Sequence, residues 1–329
     1  MKTTNLTYTR AVTELVFAGA IWGFGYVATV WSLQAAGPVA LSGWRFVLAG
    51  LIGTIWSWRH LKELLSFLRV AWIPGIFLAL MIFFQTWGLQ YTTATKSSFI
   101  TALYVLIVPL TEPFFVRQAT SSAESRRRTR RLLFYAATSL FGVALMCGLL
   151  NQHDLDEKSK WNFGDFLTLL CALAASAHII AIDLANRHKN EKAHGDAGGK
   201  MNDIRFNTAQ SLCAGIPMFV VALAADPATM RLPSVLIETK LPLIGFLSLV
   251  IGSTLIGFAL QFRAQKILSP SAASLLFLLE SPFAAIFALL LLGENMSFTQ
   301  LLGGCVILAS IAMGVRHLSK AASPSNSLK

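Results

Sequence analysis

Ten times along this chain a stretch of about 18 to 23 mostly apolar residues recurs, each long enough to cross a hydrocarbon layer of about 30 Å as a helix. The stretches are 11–33, 39–58, 70–89, 98–116, 132–150, 163–185, 205–224, 242–261, 271–291 and 299–316. No soluble core absorbs so many uninterrupted apolar runs. Hydrophobic residues make up 55% of the chain and charged ones 13%, about half the charged share of a soluble domain. Backbone polar groups in lipid must be satisfied within the segment, which selects helices. The period-2 alternation of a membrane barrel is absent. The first run exceeds the apolar core of a signal peptide, about 7 to 15 residues, and is expected to be a retained span. The sequence therefore predicts an all-α, multi-pass membrane protein with the lipid bilayer as its first partner.

The net charge is +11, but its carriers sit in short connections between apolar runs rather than on one face. That distribution argues against a nucleic-acid partner and sets orientation instead. Connections on one side, with both termini, hold 21 of the 27 Lys and Arg; the other side holds 5, and Arg45 alone falls inside a span. The excess of basic residues marks the cytoplasmic side, so ten crossings with both termini cytoplasmic are predicted. Trp31, Trp44, Trp87 and Trp161 near the outer ends, and Trp56, Trp58 and Trp72 near the inner ends, fit interfacial belts. Trp22 lies near mid-span and needs another explanation. Residues 186–204, polar and rich in Lys and His, are expected to form a mobile cytoplasmic loop, and 317–329 a disordered tail. His188 and His194 in that loop lack the spacing and further ligands of a metal site. Cys147, Cys171, Cys213 and Cys305 each fall inside an apolar run and form no C-x-x-C. Neither metal nor cofactor is called for.

The chain repeats itself. "SSFITALYVLIVP" ends at Pro109 and "SAASLLFLLESP" at Pro282, an offset of 173 that sets Ser98 against Ser271 and Thr101 against Ser274. "AIWGFGYVA" aligns more weakly with "AASAHIIAI" at an offset of 154. The difference, 19, is close to the length of the polar insert between spans 6 and 7. Two repeats follow, 11–150 and 163–316, of five spans each. Five is odd, so the halves cross the membrane in opposite senses. Inverted repeats of this kind place a site near the midplane between the halves.

These segments resemble the EamA-type members of the drug/metabolite transporter superfamily. "IWGFGYVATV" is similar to the family's opening W-G segment and "GWRFVLAGLI" to its R-F-x-x-A-G element. "ATKSSFITALYVLIVP" and "SPSAASLLFLLESPFAAIFALLLLGE" are similar to its paired fourth- and ninth-span signatures, and "LLGGCVILASIAMGV" to its closing span. The first half departs from the pattern, with "FFVRQ" where the second has Gly293 and Glu294. The resemblance implies a ten-helix bundle whose cavity is lined by spans 1, 3, 4, 6, 8 and 9. It also implies a secondary transporter in the cell inner membrane. Members export amino acids, their derivatives and other small metabolites; some carry drugs or nucleotide sugars.

Candidate site residues are the polar groups that apolar spans carry at a cost. Glu280 stands in mid-run, where a charge costs about 2.5–3.5 kcal/mol on insertion scales. It is either a proton or substrate-amine site or a structural carboxylate tied to a neighbouring helix. Pro282, two residues on, frees the carbonyl of Leu278; with Pro109 it is a candidate hinge. Arg45 presents a planar fork suited to a substrate carboxylate; snorkelling to the outer interface or a scaffold ion pair are its alternatives. Trp22, Tyr26 and Thr29 share a face of span 1, an aromatic wall or plain helix packing. Gln85, Thr101, Tyr104, His178 and Ser281 complete the cavity candidates; each is also able to tie helix to helix. Glu112 and Asp183 are expected to reach the inner interface, and Glu14 and Asp165 to sit at positive helix ends.

The expectation is transport of a small-molecule substrate by alternating access, export of amino acids or related small metabolites, with proton coupling open. A membrane enzyme is disfavoured: no H-E-x-x-H or G-x-S-x-G constellation occurs, and Asp154, Asp156 and Glu157 form one short polar loop. A scaffold or sensor without transport, and a homodimer, stay open.

Overall fold

The computed structural model describes residues 2–115, 122–146, 162–193, 203–225, 229, 231–294 and 298–321. Trp161, Cys147, His194 and the carboxylates Asp154, Asp156 and Glu157 lie outside the described residues, as do 194–202 and 322–329.

Among the described residues every regular element is helical. In chain order they are α1 Lys2–Ser32, α2 Pro38–Trp56, a short 3-10 turn Trp58–His60, α3 Leu61–Gly88, α4 Ala94–Thr101, α5 Tyr104–Phe115 and α6 Ser122–Met146. The second half holds α7 Phe163–Ala193, α8 Asp203–Ala225, α9 Leu232–Glu238, α10 Lys240–Leu247, a π-helical stretch Ser248–Gly257, α11 Phe258–Ala264, α12 Pro270–Phe277, α13 Glu280–Leu292 and α14 Phe298–Ala321. Among the described residues, eight continuous or broken helices are long and apolar enough to cross a membrane: Thr7–Ser32, Pro38–Trp56, Trp58–Gly88, Ala94–Phe115, Phe163–Arg187, Asp203–Ala225, Lys240–Ala264 and Pro270–Leu292. The expected fifth and tenth spans fall in α6 and α14. The first half of α6 is crowded with arginine, and the apolar part of α14, Leu301–Gly314, is short.

Polarity ended the apolar runs without always ending the helices. α7 continues to Ala193, so residues 186–193, expected in a mobile loop, are helical. Likewise α14 runs to Ala321, into the expected tail. Both extensions contain Lys and Ala, good helix formers once lipid contact is no longer required.

Large apolar side chains cover the outside. Phe114 is 84% exposed, Ile55 71% and Leu290 70%. Polar groups are sealed inside: Gln210, Thr254 and Ser274 show no exposure. This inverts the partition of a water-soluble protein and is what a lipid solvent demands.

The helices pair in a pattern that survives exchange of the two halves. α2 packs on α8 and α6 on α14. α3 packs on α7, while α1 packs on α10, the π stretch and α11. α4 packs on α13 and α5 on α12. Close approach of α1 to α13 depends on Gly23. A Cβ there would lie 2.6 Å from the Phe283 Cβ and 2.8 Å from the Ala284 nitrogen.

Two spans are broken near their middles in matching fashion. Thr93 caps α4 by accepting from the Lys96 N–H, and Ser269 caps α12 by accepting from the Ala272 N–H. Each helix runs eight residues, pauses for two, and resumes as α5 or α13. These boundaries align the halves at an offset of 176, pairing Thr93 with Ser269 and Tyr104 with Glu280. The proline-based offset of 173 is therefore three residues short. A three-residue slip keeps nearly the same helix face, which is why the small-residue pattern matched at the wrong register.

Prolines explain only one break. Pro282 denies its N–H to Leu278, and the break falls at Leu278–Leu279, where the Ser281 N–H takes the Leu278 carbonyl instead. Pro109 sits inside α5, well past the break at Ala102–Leu103. There the Thr101 hydroxyl bonds back to the Ser97 carbonyl, and the Val105 N–H closes a tighter turn on Ala102.

Candidate functional site

The two breaks face one cavity. Thr101 and Tyr104 flank the first, Phe277 and Glu280 the second, and all four line it. The wall draws on α1, α3, α7, the π stretch and α11 as well. These are spans 1, 3, 4, 6, 8 and 9, the set implied by the resemblance, with Arg45 of α2 added.

Arg45 is 3% exposed, so it does not snorkel to an interface. Its Nε donates to the Thr254 hydroxyl at 2.7 Å. Among the described residues no carboxylate lies within 4.0 Å of it, and its terminal nitrogens make no hydrogen bond. Arg45 itself lines the cavity. Glu280, in the same lining, likewise has no ion-pair partner among the described residues. The Tyr26 hydroxyl borders it.

Trp22 is explained by the cavity. Its Nε1 donates to the Ser253 carbonyl at 3.2 Å, and its ring lies 5.3 Å from both Phe258 and Phe277. Together they form an aromatic floor. The π stretch makes the contact available, because widened turns tilt carbonyls off the helix axis. The Thr254 hydroxyl donates to the Leu249 carbonyl five residues back, at 2.9 Å.

Eight sequence-nominated residues line the cavity: Trp22, Thr29, Arg45, Gln85, Thr101, Tyr104, His178 and Glu280. Tyr26 stands one layer behind, accepting from Gln85 Nε2 at 2.9 Å and bordering Thr101 and Glu280. Ser281 turns away and donates to the Ser98 carbonyl at 3.0 Å, tying α13 to α4.

Other residues the sequence left aside are also at work. Gln261 and Ser253 line the cavity. Behind it, Asn207 and Gln210 of α8 connect to His178. Their signal was legible: two amides three residues apart inside an apolar run. Glu112 is 2% exposed and does not reach an interface; it accepts from the Ser271 N–H at 3.0 Å. Asp183, 4% exposed, receives the Arg187 Nε at 2.5 Å. Glu14 joins Arg10 and Arg263, each at 2.9 Å. Asp165 is fully buried and takes the Lys96 ammonium at 2.7 Å and the Thr92 hydroxyl at 2.9 Å, locking α4 to α7.

The chain has relatives. It is 25% identical over 299 residues to an uncharacterized transporter of Archaeoglobus fulgidus, covering 90% of this chain and 83% of that protein. It is 24% identical over 306 residues to Protein PecM of Dickeya dadantii, covering 90% and 89%. A protein of known crystal structure shares the fold with a TM-score of 0.66 at 15% identity, covering 98% of this chain and 99% of the other. The model of the EamA-like transporter family matches residues 10–146 and 162–316. With a multi-pass helical bundle around a buried polar cavity, and a family match over most of its length, this chain belongs to the EamA-like transporter family.

Proposed function

We propose that the protein is a secondary-active exporter of amino acids or closely related zwitterionic metabolites, working by alternating access across the cell inner membrane. One observation carries the substrate class. Arg45 and Glu280, opposite in charge and without ion-pair partners among the described residues, line the same cavity. A lone buried charge is costly and calls for a counter-charge. A guest with both a carboxylate and an ammonium supplies both at once. The guanidinium fork suits the carboxylate, and Glu280 suits the ammonium. A nucleotide sugar would bring more negative charge than one arginine offsets.

The same reading takes the chain as ten spans in two inverted halves, with cytoplasmic termini. The exchange-invariant helix pairing and the matched breaks support the inversion. The lysine and arginine asymmetry supports the orientation. Glu280 is the natural carrier of a coupled proton, because a carboxylate at a substrate ammonium is vacated when the ammonium leaves.

Purified protein in proteoliposomes, given a panel of labelled amino acids, tests the reading. Saturable flux is expected, lost when the substrate is esterified at its carboxylate or acylated at its amine. No flux above empty vesicles with any member of the panel overturns it.

A further inference from the structure

A chain of amides behind the cavity wall decides which hydrogen-bonding face His178 turns to a guest. The Asn207 amide sits against two backbone carbonyls, Thr254 at 2.8 Å and Leu255 at 3.0 Å. Only an NH₂ group can face two carbonyl oxygens, so Nδ2 is fixed there and Oδ1 points the other way. Gln210 meets that Oδ1 at 2.7 Å and must present its own NH₂ to it. The Gln210 Oε1 is thereby turned toward His178 Nε2, 3.3 Å away. An oxygen acceptor requires a proton on that nitrogen. His178 is held with its proton on Nε2, and Nδ1 is an acceptor with no partner among the described residues.

A second relay, with different members, points the same way. Gln265 Nε2 donates to the Ile179 carbonyl at 2.9 Å, so its Oε1 accepts from Gln261 Nε2, also at 2.9 Å. The Gln261 oxygen is left over, and Gln261 lines the cavity. Each relay is anchored on a backbone carbonyl, an acceptor that cannot reverse. The Thr254 that holds Arg45 also belongs to the first relay, through its carbonyl. Thr254 thus ties both ends of the cavity wall together, its hydroxyl holding Arg45 and its carbonyl anchoring the relay to His178.

We infer that Asn207 and Gln210 are positioning residues that hold His178 as an Nε2–H imidazole, so that its Nδ1 accepts an N–H of the substrate's ammonium group. The inference rests on the transport reading only for the identity of the guest. The tautomer itself is a property of the empty protein.

The test is nitrogen NMR of histidine-labelled protein in lipid at neutral pH, with the His178 signals assigned by their loss in His178→Gln. The Nε2–H pattern is expected. An Nδ1–H tautomer or an imidazolium overturns the inference, whether or not flux is seen. Gln210→Leu, which spares Asn207 and its carbonyls, is expected to yield a mixture of tautomers and to raise KM about tenfold with little change in kcat, a loss of about 1.4 kcal/mol in binding. An unchanged spectrum and unchanged KM overturn it. His178→Phe keeps a ring against Phe258 but removes both nitrogens, and with them the Nδ1 acceptor. It is expected to weaken the amino acid while leaving its N-trimethyl analogue, which has no N–H, unaffected; equal losses for both overturn it. Absence of flux with the expected tautomer would remove the transport reading and leave the relay standing.

Discussion

Glu112, on α5, caps the start of α12 by accepting both the backbone N–H and the hydroxyl of Ser271. Its counterpart runs the other way. Glu294, placed just after α13 by the left-handed turn at Gly293 (φ 69°), accepts the N–H groups of Ala94 and Thr95 and the Thr95 hydroxyl at the start of α4. Thr95 and Ser271 are equivalent at the offset of 176, but the two glutamates are not. Each half therefore caps a broken helix of the other, from different positions in the sequence.

The caps yield a stability prediction. Glu112→Ala and Glu294→Ala should each cost about 0.5–2 kcal/mol, the usual range for a lost N-cap. Glu112 should sit at the upper end because it is buried. Chemical unfolding in detergent measures this, and no change in either variant would mean that the caps are dispensable.

Arg45 should not tolerate lysine. A lysine ammonium keeps the charge but cannot donate to Thr254 through an Nε while offering a planar fork to a guest. Arg45→Lys should raise KM for a carboxylate-bearing substrate about tenfold, close to 1.4 kcal/mol, and Arg45→Ala more. Substrate titrations of flux decide between them, and a fully active lysine variant would contradict the fork.

Glu280→Gln separates binding from coupling. The amide preserves shape but carries neither charge nor a transferable proton. Exchange of substrate down its own gradient should persist at reduced affinity, while accumulation driven by a pH gradient should vanish. Gradient-driven accumulation in the variant would assign the proton elsewhere.

Lys96 and Asp165 form a buried pair, 7% and 0% exposed. Asp165→Asn should cost about 3–5 kcal/mol, because it leaves a buried ammonium without its counter-ion. Lys96→Met combined with Asp165→Leu should recover most of that. A double-mutant cycle on unfolding free energies reads the coupling, and additive losses would show the pair to be independent.

Gly23→Ala should force α1 away from α13, since the added Cβ meets backbone and Cβ atoms at 2.6–2.9 Å, at an overpacking cost of about 1–3 kcal/mol. Gly252→Ala, whose Cβ would meet only the Ile21 Cγ2 at an ordinary 3.5 Å, is the control and should be nearly silent. Thermal stability of the two variants makes the comparison.

The sequence alone carried the helices, the membrane, the family and most of the polar part of the cavity lining. Long apolar runs admit one backbone solution in lipid, and a polar residue inside such a run must face something polar. Arg45, Glu280 and His178 could be picked out on that ground before any fold was known. What they face was not readable, because partners such as Thr254 for Arg45 and Gln210 for His178 come from other helices, 209 and 32 residues away. The true register of the repeat, the reciprocal glutamate caps and the burial of Glu112 were likewise decided only when the halves packed together. Hydropathy is a property of each segment, but hydrogen-bond satisfaction is a property of the assembled bundle. The tertiary structure therefore decided which polar groups pair with one another across the bundle and which line the cavity.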